Sequence, residues 1–125
     1  MKNIHVIKAG LQTDAFNRMR AGTKKMEFRL REGKWDTLRV GDIIEFDRRE
    51  GTKKCPNNVL RVLVLAVVNY PSFLDLMKDL APVIYNKKTK EEQLEGLRKF
   101  YTPEQERIHT VLGIKVRLCE EDTDV

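Results

Sequence analysis

Residues 22–46 read GTKKMEFRLREGKWDTLRVGDIIEF, and this stretch decides the fold because it compresses a turn, a charged strand and a second strand into one unit. Strand side chains alternate between faces with period two. A strand from Lys24 to Arg31 therefore sends Met26, Phe28 and Leu30 to one side and Lys25, Glu27, Arg29 and Arg31 to the other. One side feeds a core; the other is a ribbon of charge. After it, Gly33 and the single tryptophan, Trp35, mark an ordered connection held by an aromatic plug. Gly41-Asp42 marks a tight turn, and Ile44 and Phe46 are the inward positions of the next strand.

Upstream of this stretch, Ile4 to Ala9 reads as a first strand. A helix follows, with Thr13 as N-cap, Asp14 in its first turn, Phe16 and Met19 inward, and Gly22 suited to the left-handed position at its end. Downstream, Arg48 to Asn58 reads as a polar hairpin loop broken by Gly51, Pro56 and Asn57-Asn58. Val59 to Val68 is β-branched and apolar on both faces apart from Arg61, the pattern of a central strand covered on both sides. Pro71 and Ser72 stop it, and Ser72 caps a helix with Phe73, Leu76, Met77 and Leu80 on one stripe. Ala81 to Lys88 reads as a loop. Thr89 with Glu92 forms a capping box for a helix that turns Leu94, Leu97 and Tyr101 inward, and Thr102, Pro103 and Gln105 start a further short helix. Val111 to Leu118 closes the domain as a strand, with Lys115 and Arg117 outward. Together these predict a mixed α and β domain with a substantially antiparallel sheet.

At 125 residues the chain has the size of one domain, read as 1–119 followed by an acidic tail, 120–125. Lys plus Arg number 24 against 19 for Asp plus Glu, a formal charge of +5 that favours a polyanionic partner. Cys55 and Cys119 lack metal-ligand spacing, and His5 and His109 stand without a ligand or triad pattern, so no metal or cofactor is expected. No segment has the length and apolarity of a signal sequence or a bilayer span, which predicts a cytoplasmic protein with no membrane partner.

The motif G-x-K-x-x-E-x-R at Gly22, Lys24, Glu27 and Arg29 is followed by L-x-V-G-D-I-I-E-F at Leu38–Phe46, Y-P-S-F at Tyr70–Phe73, L-R-K-F-Y-T-P-E-Q-E at Leu97–Glu106 and V-L-G-I-K-V at Val111–Val116. In this combination the chain resembles the ASCH family of the PUA-like superfold. The resemblance implies an α+β fold, a partly open mixed β-barrel with flanking helices, and a cleft lined by the motif Lys24, Glu27 and Arg29.

On the residues alone, the charged face reads first as a solvated salt-bridge ladder. With the resemblance, it reads as an RNA-binding face. Arg29 is the expected phosphate contact, since guanidinium grips two oxygens and stays charged. Glu27 would orient it or accept from a base or ribose, and Lys25 and Arg31 would widen the basic surface. Lys24 would swing over the cleft mouth. Of the aromatics Trp35, Tyr70, Tyr85 and Tyr101, Tyr70 is the best candidate to stack an unpaired base. The expected function is binding of single-stranded RNA or a nucleotide in a charged cleft. The alternatives are a hydrolase acting on RNA or modified nucleosides, with Lys24 and Glu27 as acid and base, and a protein-interaction adaptor. Some relatives implied by the resemblance hydrolyse acylated cytidine with a Thr nucleophile, but Glu27 stands at that position here and offers no hydroxyl to activate. Ribonuclease activity is the form of hydrolysis that the resemblance leaves open.

Overall fold

A computed structural model describes residues 4–84 and 90–119. The acidic tail, the Thr89 cap and Tyr85 lie outside the described residues. The elements run β1 (Val6–Gln12), α1 (Thr13–Arg20), β2 (Met26–Leu30), a 3-10 turn (Gly33–Thr37), β3 (Ile43–Glu50), β4 (Lys53–Tyr70), α2 (Phe73–Ile84), α3 (Lys90–Arg98), α4 (Pro103–His109) and β5 (Val111–Leu118). The strands form one sheet in the order β1-β3-β4-β5-β2. It is mixed: β1 runs parallel to β3, whereas β3 and β4 form an antiparallel hairpin. A parallel pair requires a crossover, and α1 begins that connection.

Several boundaries move from their expected places for identifiable reasons. Register with β3, from Val6 opposite Ile43 to Gln12 opposite Arg49, sets the span of β1. Thr13 does not cap α1; its hydroxyl donates to Glu50 Oε1 at 2.6 Å and lies 3.2 Å from the Arg49 carbonyl, tying the helix start to β3. The expected loop at 48–58 contracts to a turn at Gly51-Thr52, with Gly51 at φ +62°. Pro56 and Asn57 sit inside β4, where the register slips between Asp47 and Arg49 and Asn57 takes φ +62°. A bulge absorbs residues that would otherwise end the strand. Helix α2 continues through Ala81 to Ile84, where a loop was expected.

Two compact, interleaved units make up the chain. The first comprises Met1–Glu27, Leu38–Val67 and Ile114–Val125; the second comprises Phe28–Thr37 and Val68–Gly113. Neither is a contiguous segment.

In the first unit, Phe16, Ile44, Phe46, Val62 and Ile114 are fully buried, as period-two and helical patterning requires. Only one face of β4 is covered, however: Val59 is 54% exposed and Leu65 38%, so the expected two-sided burial holds for one side alone. In the second unit, Phe73, Leu76 and Met77 bury one stripe of α2, and Trp35 plugs its 3-10 turn. Ser72 caps α2 by accepting from the Asp75 N–H at 3.1 Å. Thr102 and Gln105 form the expected capping box of α4.

Candidate functional site

In the first unit, Ala21 caps the end of α1 and Gly22 takes φ +82°, a left-handed turn that any side chain would strain. The Lys24 N–H then bonds to the Arg18 carbonyl at 3.1 Å. The Lys24 ammonium folds back instead of swinging outward. It donates to the Met26 carbonyl at 2.6 Å and lies 3.6 Å from Glu27 Oε1. Glu27 is only 6% exposed, so the motif carboxylate is a buried, ion-paired group and no part of a solvated ladder. A carboxylate withdrawn from water needs such a partner.

Beside Lys24 opens a hollow of about 320 Å³. Met19, Val62 and Val116 form its buried floor, and Leu65 and Leu118 line it with more exposed side chains. Four cationic residues also line it: Lys24, Lys25, Lys115 and Arg117. Among the described residues, no carboxylate lines it. The Val116 N–H bonds to the Lys25 carbonyl at 3.0 Å, which sets Lys25 against the β5 positions that carry Lys115 and Arg117. With Lys24 paired to Glu27, the three cations Lys25, Lys115 and Arg117 around an apolar floor give the hollow the electrostatics of an anion site.

In the second unit, the Arg29 guanidinium lies over the Trp35 ring at 4.9 Å, a cation–π contact, and Lys34 approaches the same ring at 5.9 Å. Arg31 Nε donates to Asp36 Oδ1 at 2.9 Å; about half of the Arg31 side chain is exposed. Tyr70 is buried and donates its hydroxyl to Asp79 at 2.5 Å. It is an anchor, and its ring is not presented for stacking. Tyr101 packs against Phe73 with ring centroids 5.3 Å apart.

Burial, with the hydrogen bond to Asp79 and its charge, pushes the Tyr70 phenol up to about 12. A raised folded-state value contributes stability that is complete below the unfolded tyrosine value near pH 10 and is lost as pH rises toward about 12. Unfolding midpoints measured from pH 9 upward should fall in the parent protein through that window. They should fall less in Tyr70→Phe, and identical pH profiles would show that the phenol contributes nothing.

The hypothetical protein PH0355 has a crystal structure that matches with a TM-score of 0.75 and 31% identity over 91% of this chain and 99% of its own. The solution structure of protein PF0455 from Pyrococcus furiosus matches with a TM-score of 0.68 and 31% identity over 92% and 98%. A crystal structure of a ZmASCH variant from Zymomonas mobilis matches with a TM-score of 0.62 and 12% identity, covering 94% of this chain and 76% of that one. The chain belongs to one family with PH0355 and PF0455, and its fold is ASCH-like. At 12% identity, the likeness to ZmASCH shows the fold alone. No family model matches the chain, and no curated protein does.

Within this ASCH-like, PUA-like α+β fold, the six sequence-chosen residues do not share one unit. Lys24, Lys25 and Glu27 belong to the first, and Arg29, Arg31 and Tyr70 to the second. Lys115 and Arg117, assigned by parity only to an outward face, line the hollow and were missed as site residues. Both histidines find carboxylates that sequence spacing did not reveal: His5 lies 3.2 Å from Asp42, and His109 lies 3.1 Å from Glu32. Among the described residues, no cluster of His, Cys, Asp and Glu suits a metal, and no helix is long and apolar enough to cross a membrane.

Proposed function

We propose that the chain binds single-stranded RNA, with phosphates of the strand held by Lys25, Lys115 and Arg117 around the first unit's hollow. The observation that carries this reading is the gathering of Lys25, Lys115 and Arg117 about one hollow, beside the paired Lys24, with no acidic residue in its lining among the described residues. The net charge of +5 and the ASCH-like fold support the same class of partner.

Lys24 and Glu27 serve this site differently from the sequence expectation. In this reading their mutual pairing holds Lys24 at the edge of the hollow, and neither is given acid–base work. The hydrolase reading therefore has no observation of its own.

Titrating labelled single-stranded RNA, duplex RNA and DNA against salt tests the proposal. Three phosphate contacts give a log–log slope of about −2, at roughly 0.7 per phosphate for a single strand. The expected result is that slope, with single-stranded RNA bound most tightly. Absence of binding at low salt would remove the proposal.

A further inference from the structure

We infer that the first unit's hollow seats one unstacked base of the bound strand and accepts it by size and apolarity, with little regard to which base it is. This rests on the RNA-binding reading above. At about 320 Å³ the hollow lies at the small end of ligand sites, which run roughly 300–1,000 Å³. A single flat base is within that size.

The chemistry of its wall decides the kind of readout. Met19, Val62, Leu65, Val116 and Leu118 offer methyl and methylene groups and, apart from a thioether, no hydrogen-bonding side-chain atom. A base pushed in edge first would bury donors and acceptors against carbon, which is costly. The base therefore enters with its faces against the aliphatic wall and keeps its pairing edge toward the mouth and water. An edge left in water is not read, so A, G, C and U are tolerated alike. The phosphates on either side of the inserted base then fall to Lys25, Lys115 and Arg117. Duplex RNA, whose bases are paired and stacked, reaches the cations only with its backbone.

The test uses the full chain with a short oligouridine carrying one 2-aminopurine, its abasic counterpart, and counterparts with each natural base at that position. In the parent protein, 2-aminopurine should brighten on binding as it leaves its stacked neighbours. The abasic strand should bind about fivefold more weakly, the low end of what a stacked base contributes, because the wall has no aromatic ring. The four natural bases should differ by less than about threefold.

Leu65→Trp fills the hollow from a position already 38% exposed, and Leu65→Gln makes the wall polar at similar size. Either variant should bind the complete strand about fivefold more weakly, at an unchanged salt slope, while losing the brightening and the abasic penalty. Equal binding of the parent to abasic and complete strands, with salt dependence intact, would overturn the base pocket and leave the phosphate contacts standing. A tenfold preference for one base would overturn the indifference to identity. Loss of all binding at low salt would overturn both this inference and the reading beneath it.

Discussion

Replacing Glu106 with Ala should lower folding stability by about 3 kcal/mol, enough to move the thermal midpoint by roughly 10 °C in a chain of this size. Glu106 is 2% exposed and stands on α4 in the second unit. One carboxylate oxygen accepts from the Phe73 N–H at 2.8 Å, at the first turn of α2, while the other is ion-paired with Arg98 at the end of α3. A single side chain thus fastens three helices. Its removal leaves a cation and a backbone donor without their acceptor, and breaking a buried pair costs about 3–5 kcal/mol. The lower end applies because Arg98 is a third exposed and rehydrates in part. Glu106→Gln keeps an acceptor for Phe73 and should cost about half as much. Urea midpoints at unchanged slope provide the measurement. A loss below 1 kcal/mol in the alanine variant would show that the three helices are held by their apolar stripes alone.

Reversing the charge at Lys115 and Arg117 together should weaken single-stranded RNA binding by about 100-fold at low salt, roughly tenfold for each position, and reduce the salt slope by about 1.4. Both side chains are exposed, and exposed substitutions of this kind leave stability within about 0.5 kcal/mol, so the change reads binding and not folding. Reversal at Lys53 and Lys54, exposed residues at the start of β4 outside the hollow's lining, is the matched control. If both pairs weaken binding equally, the chain attracts RNA through net charge and the hollow has no special part in it.

Much of this architecture was legible because local chemistry and tertiary packing agree. Gly22 ends α1 in the conformation its missing side chain permits, the Thr102 capping box opens α4, and β5 occupies Val111–Leu118 as its alternation required. Where they disagree, the longer-range partner wins. Pro56 and Asn57 are breakers by local rule, yet pairing with β3 carries β4 past them as a bulge. Val59, Leu65 and Val68 look like core residues, and nothing in their identity reveals that the second face of β4 is left partly open.

The candidate site was legible only in part. Parity placed Lys115 and Arg117 outward, but their meeting with Lys25 depends on β5 lying between β4 and β2, a fact of topology that no local spacing encodes. Parity also set Glu27 on a wet ribbon. The Lys24 chain, folding back across three residues, neutralises it where it lies buried.

The sheet order has a consequence for how the molecule is made. β2, which carries the motif, has β5 as its one neighbour in that order, and β5 is the last of the five strands to be synthesised. A chain stopped short of Val111 lacks the strand beside which Met26–Leu30 lies, and with it Lys115, Val116, Arg117 and Leu118, so the basic hollow comes into being only with β5.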